Sequence, residues 1–129
     1  MRMRSIRSRF TLAAAGLAAF GGLWSPVFAQ SPVNGETLFR QRCQSCHSIA
    51  PDKTTPLGPN LHGVVGRKAG TTAFRYSDAL KKSGVVWSRT TLDRYLAAPL
   101  RLVPGTRMTV ALPNEAQRAA ILDYLARQK

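Results

Sequence analysis

Acidic residues are scarce in this sequence: six of its 129 residues are Asp or Glu, against 19 Lys and Arg, and the formal net charge is +13 at pH 7. A chain this basic favours acidic partners, which could be protein, membrane or nucleic acid. The sequence also lacks a dense Lys/Arg run and any RNA- or DNA-binding motif. These absences exclude nucleic acid as the expected partner and favour an acidic protein surface.

Long hydrophobic runs, strand patterns and internal repeats are also missing. The apolar run near the amino terminus, Phe10–Trp24, has 15 residues, short of the ~20 that cross a bilayer as a helix. Without alternating or repeated segments, the chain has no basis for a sheet or a solenoid. We therefore predict an all-α protein, and its length leaves room for one domain.

The first 29 residues have the organisation of a secretory signal peptide. A cationic start without acids precedes the apolar run, and Val27-Phe28-Ala29 offers small residues at the two positions that a signal peptidase reads. No Arg-Arg pair occurs there, which favours general export over the twin-arginine route. We predict a signal peptide over 1–29 and a mature domain over 30–129, with an uncleaved membrane anchor as the alternative. The mature domain would keep 15 basic residues and all six acids, a net charge of about +9.

Cysteine is scarce as well, and both cysteines lie in Cys43-Gln44-Ser45-Cys46-His47. A disulfide across two residues would close a tiny loop, a thioredoxin-like pair needs an α/β context, and structural zinc usually needs four ligands. Cys-x-x-Cys-His is instead the attachment motif of c-type haem. On the last turn of a helix, this spacing puts both thiols beside the two vinyl groups of one haem edge. We predict one haem c, bound by two thioethers, with His47 as a ligand of the iron.

Helix and loop signals alternate along the mature domain. Ser31-Pro32 predicts the start of a first helix that leads to Cys43. Further helices are predicted over Ser77–Lys82, from Ser88 or Thr90 to Pro99, and after Asn114 with Gln117 at the capping-box position. Their predicted buried residues are Leu92, Tyr95, Leu96, Ala120, Ile121, Tyr124 and Leu125. The segments 48–72 and 100–113 are rich in Pro and Gly and predict long loops, which a haem could support as the centre of the core.

The second ligand of the iron decides between electron transfer and chemistry at an open metal. Met108 is the only methionine after the predicted leader, and it lies in a Pro/Gly loop. The alternative interpretation of Met108 is a side chain that only fills the core. His62 is the rival ligand. It lies only 15 residues after His47, on the loop that leaves the same haem face. We therefore predict Met108 as the ligand and His62 as a surface histidine.

Several strings, taken in order, resemble a known family. They are Cys43 to His47, Leu57 to Leu61, Gly66 to Gly70, Phe74 to Ala79, Trp87, Tyr95-Leu96 and Pro104 to Met108. From Ser31 to Ala126 the chain resembles class I cytochrome c, the family of mitochondrial cytochrome c and bacterial cytochromes c2 and c550. The resemblance implies an all-α class I cytochrome c fold, with several helices and long loops wrapped around one covalently bound haem.

The resemblance also implies roles for individual residues. Pro59 matches the position whose carbonyl accepts the second ring N–H of the axial histidine. The residues that match the propionate-holding positions are Arg67, Tyr76 and Trp87. Tyr95 matches the tyrosine beside the methionine sulfur, and Thr106 matches a hydroxyl of the methionine loop. The residues that match the crossing of the first and last helices are Gly35, Phe39, Ile121 and Tyr124.

The sequence departs from mitochondrial members at two kinds of position. The position of Leu80 resembles that of a haem-pocket asparagine in mitochondrial members, so part of the polar network there should be missing. Uncharged residues replace frequent lysines around the haem edge at Thr37, Pro56, Leu100, Pro113 and Asn114. Arg42, Arg101 and Arg107 keep charge there, beside the apolar Leu102 and Val110. The expected docking face is therefore basic, but less basic than that of mitochondrial members. Arg75 and Lys82 are expected on other surfaces.

Six-coordinate iron between His47 and Met108 suits one-electron transfer, because neither ligand need leave. We predict a monomeric, soluble carrier in the periplasm of a Gram-negative bacterium, and not an enzyme. Its partners would be redox proteins with acidic docking faces. The donor would be a quinol–cytochrome c reductase or a dehydrogenase, and the acceptor an oxidase, a reductase or a photosynthetic reaction centre. The alternatives are a dedicated electron-transfer subunit of a periplasmic dehydrogenase and a haem enzyme with open coordination.

Overall fold

A computed structural model describes residues 33–129 of the chain. The predicted signal peptide over 1–29 and the predicted helix start at Ser31-Pro32 lie outside these residues. The helices are α1 (Gly35–Arg42), α2 (Asp78–Lys82), α3 (Arg89–Ala97), α4 (Pro99–Leu102) and α5 (Glu115–Ala126). In the described part no strand forms, and an isolated antiparallel bridge joins Lys68 to Val86. The predicted all-α class is confirmed.

The first helix begins later than the sequence pattern predicts. Asn34 has extended backbone angles, φ −80° and ψ 111°, and its side-chain oxygen accepts a hydrogen bond of 3.0 Å from the amide of Thr37. Asparagine is as good an N-cap as serine, since its short side chain reaches the free N–H groups of the first turn. The cap of α1 is therefore Asn34, which the sequence pattern did not predict.

The two helices in the middle of the chain follow the prediction closely. Ser77 caps α2 by accepting from the amide of Leu80, and Ser88 caps α3 in a reciprocal pair with Thr91. The buried residues of α3 are the predicted Leu92, Tyr95 and Leu96. Serine caps followed by an apolar stripe at helical spacing are strong local signals, because both act within one or two turns.

A short helix occupies the start of the predicted loop over 100–113. Pro99 ends α3 but also begins α4, which runs to Leu102. Proline suits a first helical position, because its missing N–H would have no helical partner there and its φ is already near the helical value. The prediction treated Pro99 only as the end of a helix. Because α4 follows, the loop begins at Val103, three residues later than expected.

The last helix confirms its predicted cap but buries a different set of residues. The Asn114 side chain accepts from the Gln117 amide at 3.0 Å. Ile121 and Leu125 are buried as predicted, whereas Ala120 and Tyr124 are half-buried. The helix also buries Leu122 and the charged Arg118. The additional burial arises because α5 packs against both α1 and α3, so its buried face is wider than a single stripe.

The crossing of α1 and α5 depends on a glycine. A Cβ atom at Gly35 would overlap the carbonyl oxygen of Ala120 and touch Tyr124. With hydrogen there instead, the two backbones come close enough for Phe39 to pack on Tyr124, with ring centroids 5.5 Å apart. Phe39 and Ile121 are almost fully buried in the same core. This close approach joins the two ends of the described chain.

Backbone hydrogen bonds join the long loop before α2 to the segment before α3. The amide of Ala69 donates to the Val85 carbonyl at 2.8 Å, and the amide of Trp87 donates to the Arg67 carbonyl at 2.9 Å. The Gly66 amide in turn donates to the Trp87 carbonyl at 2.8 Å. Arg67 and Trp87, which are 20 positions apart in sequence, thus become neighbours.

Within residues 33–129 no helix is long and apolar enough to cross a membrane.

We predict that Gly35→Ala destabilises the protein by about 1–3 kcal/mol or more, because its methyl group would force α1 away from the Ala120 carbonyl. Denaturant unfolding of the haem-loaded protein measures the change. Thr37→Ala, an exposed change in the same helix, is the matched control and should cost much less. Similar losses from the two variants would contradict a tight crossing at Gly35.

Candidate functional site

One cavity of about 460 Å³ lies at the centre of the described residues. Its wall includes every residue that the sequence analysis assigned to a site: Cys43, Cys46, His47, Pro59, Arg67, Tyr76, Trp87, Tyr95, Thr106 and Met108. They come from the turn after α1, from the chain between that turn and α2, from the segment before α3 and α3 itself, and from the segment after α4. Most of the remaining wall is apolar, and ten of the fifteen buried core residues belong to it.

The two cysteines lie in the turn that ends α1. The amides of Cys46 and His47 both donate to the Cys43 carbonyl, at 3.0 and 2.9 Å, so the chain turns back over Cys43. Both thiols are free and half-buried in the wall. Burial, together with the neighbouring Cys46, raises the pKa of the Cys43 thiol to about 11. In the haem-free chain this thiol therefore remains protonated at neutral pH.

The imidazole of His47 is held in one orientation. Its Nδ1 lies 2.8 Å from the carbonyl oxygen of Pro59. Because a carbonyl can only accept, Nδ1 carries the proton and Nε2 keeps its lone pair. Burial lowers the pKa of His47, and the bond to Pro59 acts in the opposite direction without offsetting it. The neutral imidazole with a free Nε2 is the form that binds a metal.

Two residues without an assigned role shape the surroundings of His47. A Cβ atom at Gly58 would lie 2.6–2.7 Å from the imidazole ring, so only glycine permits this contact. The Thr55 hydroxyl lies 2.5 Å from the Cys46 carbonyl and 2.8 Å from the Gly58 carbonyl. Gly58 was part of a string that carried the family resemblance. Thr55 gave no signal, because its partners are distant in sequence or in irregular backbone.

Asn60 organises the rest of this loop. Its side-chain NH₂ group donates to the carbonyls of Ala50 and Lys53, at 2.6 Å each, and its oxygen accepts from the His62 amide at 2.6 Å. The side chain thereby satisfies backbone groups for which no helix or strand supplies partners. The predicted loop over 48–72 is irregular in its backbone but is connected by side-chain hydrogen bonds.

Arg67, Tyr76 and Trp87 meet the wall from the long loop and the segment before α3. The Arg67 guanidinium donates to the carbonyls of Asn60 and His62, at 2.8 and 3.0 Å, which leaves three of its five N–H groups for other partners. Burial lowers the pKa of Arg67, although arginine stays charged. The Tyr76 hydroxyl lies 2.5 Å from that of Thr72. These three side chains bring polar groups to a largely apolar wall.

Met108 lies in a segment that Tyr95 secures from α3. The buried hydroxyls of Tyr95 and Thr106 are 2.5 Å apart, and the Tyr95 ring packs on Trp87 with centroids 4.9 Å apart. Burial raises the pKa of Tyr95, so its hydroxyl stays protonated at neutral pH. Met108 is half-buried in the wall. His62, the rival in the sequence analysis, is not part of the wall.

Comparison with known proteins agrees with this architecture. The family model described as Cytochrome c matches residues 32–129. Cytochrome c2 of Rhodomicrobium vannielii is 46% identical over 106 residues, which cover 81% of this chain and 84% of that protein. Cytochrome c2 of Rhodoblastus acidophilus is 46% identical over 78% of this chain and 95% of its own length. The solved structure of cytochrome cH from Methylobacterium extorquens has a TM-score of 0.67 and 38% identity, and the match covers 75% of this chain and 98% of that chain.

This chain belongs to the class I cytochrome c family. As a member, it binds haem c covalently, and Cys43 and Cys46 are the cysteines that fit the attachment motif. Its cavity suits the group: the wall is largely apolar, two free thiols line it, and the bond to Pro59 keeps Nε2 of His47 unprotonated. The protein is therefore a monohaem cytochrome, and its family relatives indicate electron transport.

Leu80 marks a local difference from the mitochondrial pattern in this cytochrome. It is 8% exposed and belongs to the cavity wall. An amide at this position would need hydrogen-bond partners in an apolar setting, whereas leucine needs none. The Leu80 side chain therefore adds apolar surface to the haem cavity at the position where mitochondrial members are expected to carry a polar amide.

We predict that Thr55→Val lowers the free energy of unfolding of this cytochrome by about 1–2 kcal/mol, because the carbonyls of Cys46 and Gly58 lose a shared donor. Thermal or denaturant unfolding of the haem-loaded protein provides the measurement. Thr54→Val is the control, since the adjacent Thr54 is exposed. Equal stabilities of the two variants would show that the Thr55 hydroxyl contributes nothing to the loop.

Proposed function

We propose that this cytochrome is an exported one-electron carrier whose haem is ligated by His47 and Met108. Haem c supplies a one-electron redox change when bound. The chain contributes two fixed ligands from separate segments, the turn after α1 and the segment after α4. If both ligands stay in place during the redox change, little of the protein has to reorganise. That property suits a carrier and gives a substrate no open coordination position.

The observation that carries this proposal is the composition of the cavity wall. It includes the thioether of Met108 together with His47, and it does not include His62. The His62 backbone is instead engaged with the loop: its amide donates to Asn60 and its carbonyl accepts from Arg67. These contacts favour Met108 as the second ligand.

The charges of the wall support a carrier over an enzyme. In the described part of the chain, no Asp, Glu or Lys belongs to the wall. The wall that includes Met108 also includes Leu80, Leu96 and Val110, together with the hydroxyl pair of Tyr95 and Thr106. A haem enzyme that activates peroxide needs an acid–base pair beside the open metal position. The wall offers no carboxylate or second histidine for that role.

We assign the haem propionates to Arg67, Tyr76 and Trp87. Arg67 has N–H groups to spare after its two bonds to backbone carbonyls. Tyr76 and Trp87 are both buried, and they add a hydroxyl and an indole N–H. A carboxylate buried away from water must be paired or hydrogen-bonded, and these side chains supply polar donors in the wall.

The location and the partners follow from the sequence and from the exposed part of the wall. The leader over 1–29 is proposed to be a cleaved signal peptide, which places the domain over 30–129 in the periplasm of a Gram-negative bacterium. The exposed wall residues include Arg42, Arg75 and Arg107, and no acid. This charge suits an acidic docking face on a reductase or dehydrogenase that donates electrons. It suits one on an oxidase, reductase or reaction centre that accepts them.

The proposed docking face has an apolar part as well. Leu57 and Val110 belong to the wall and are 70% and 57% exposed. Leu102, expected at this face, instead packs against the core, because it lies in the unexpected helix α4. Arg75, expected elsewhere, belongs to the wall, where its carbonyl accepts from Arg107 at 3.0 Å. Exposed apolar residues beside cations are typical of transient interfaces.

We predict that Met108→Ala opens the iron to external ligands. The ferric protein should lose the weak long-wavelength band of sulfur–iron bonding and bind cyanide or imidazole more tightly, because no side-chain ligand competes. Titration followed by visible absorbance gives both results. His62→Ala is the control and should change neither. If His62→Ala opened the iron and Met108→Ala did not, the ligand assignment would be wrong.

We predict that Arg42→Glu and Arg107→Glu slow electron transfer to the native acceptor several-fold at low salt, because charge at an interface mainly controls the rate of encounter. The effect should shrink as salt is added, since the Debye length is about 10 Å at 0.1 M. Stopped-flow oxidation across an ionic-strength series measures it. Lys82→Glu has the same change in net charge but lies outside the wall. An equal effect of Lys82→Glu would mean that net charge alone governs docking.

A further inference from the structure

Arg118 is a charged residue buried in α5, with 8% of its surface exposed. A buried guanidinium is costly unless its N–H groups find partners. The Nε of Arg118 donates to the Asp93 carboxylate at 2.7 Å, and one Nη donates to the carbonyls of Leu112 and Pro113 at 2.9 Å each. The residue therefore connects α5, α3 and the chain just before α5.

The two carbonyls belong to the end of the segment that carries Met108. This segment runs from Val103 to Asn114 between α4 and α5. Near its start, the Thr106 hydroxyl pairs with Tyr95 and the Thr106 amide donates to the Val103 carbonyl. Near its end, Leu112 is held by Arg118 through its carbonyl and by the Leu96 carbonyl through its amide, at 2.8 Å. Both ends are thus fastened to buried groups.

The stretch between these two anchors has few contacts of its own. In the described residues, positions 107 to 111 make no backbone–backbone hydrogen bond. The Arg107 side chain donates to the Arg75 carbonyl at 3.0 Å, and the half-buried Met108 packs against the core, while the other side chains of the stretch are exposed. With so few contacts in between, the position of Met108 also depends on the two fastened ends. One end is secured by the neutral pair of Tyr95 and Thr106, and the other by the buried charge of Arg118.

We propose that Arg118 is a positioning residue for Met108: its bonds to Leu112 and Pro113 fix the end of the segment and so hold the thioether in the haem cavity. The inference rests on the proposed ligation by Met108. Arg118 lies ten positions after Met108 and is not part of the cavity wall, so it acts only through the backbone of the segment. Asp93 orients the guanidinium and neutralises its charge, which makes the burial tolerable.

The test compares imidazole binding to the ferric, haem-loaded protein and its Arg118→Met variant at neutral pH without denaturant. Imidazole must displace the methionine, so its apparent affinity reports how often Met108 is released. Loss of hydrogen bonds from a charged donor should raise that affinity at least about tenfold and weaken the long-wavelength sulfur–iron band. Arg118→Lys keeps the charge but loses the forked geometry, and should give a smaller shift in the same direction.

Two controls separate positioning from general stability. Arg89→Met removes the other α3–α5 ion pair, between Arg89 and Asp123 at 2.5 Å, which is exposed and does not touch the segment. Gly35→Ala weakens the protein at the α1–α5 crossing. Neither should change imidazole affinity more than about twofold, although Gly35→Ala lowers the free energy of unfolding. A comparable rise in imidazole affinity in Gly35→Ala would overturn the proposal.

Three further outcomes decide the inference. If Arg118→Met retains the parent imidazole affinity and the sulfur–iron band, while Met108→Ala loses the band, the positioning role is wrong and the ligation stands. If the parent has no such band and Met108→Ala leaves imidazole affinity unchanged, the proposed ligation fails, and the positioning role fails with it. Should Arg118→Met not fold, Arg118→Lys decides: an unchanged affinity would overturn the role, and a several-fold rise would support it.

Discussion

The haem cavity is the constraint on which the rest of this small domain depends. Among the described residues, ten of the fifteen buried core residues line the cavity, including Trp87, Tyr95 and Ile121. A chain of this size with long irregular loops cannot bury enough apolar surface among its own side chains. The covalent haem c of the family therefore supplies the centre of the core. The helices, and the crossing at Gly35 in particular, close the protein around it.

In the irregular loops, side chains supply the hydrogen bonds to backbone groups that helices and strands supply elsewhere. Thr55, Asn60 and Arg67 together supply partners for backbone carbonyls of the long loop. Arg118 does the same for the segment after Met108. In the described residues, no buried side-chain nitrogen or oxygen lacks a partner. Irregular backbone is tolerated in the core region because these bonds replace the hydrogen bonds to water that polar groups lose when they are buried.

The segments that carry His47 and Met108 are held in different ways. On the side of His47, neutral groups close to one another in sequence fix the ring: Pro59 accepts from it and Gly58 leaves room beside it. On the side of Met108, the supports come from α3 and α5, and one of them is a buried charge. A short network resists local opening, whereas a segment fastened mainly at its ends opens more easily. An external ligand such as imidazole is therefore expected to displace Met108 rather than His47.

Local patterns in the sequence determined the chemistry: Cys43 to His47 specify haem attachment, and the serine caps and apolar spacing specify α2 and α3. The single methionine after the leader predicted Met108 as a ligand, and the resemblance supplied the crossing at Gly35 and the roles of Pro59, Arg67, Tyr76, Trp87, Tyr95 and Thr106. Tertiary structure decided what these patterns could not reach, such as Asn34 as the cap of α1 and the turn of helix after Pro99. The roles of Thr55 and Arg118 also depend on the tertiary structure. Their partners are scattered carbonyls of irregular backbone, and Arg118 additionally binds Asp93. Capping and periodicity act within a few residues and leave a local signature, whereas these contacts exist only once distant segments have packed together.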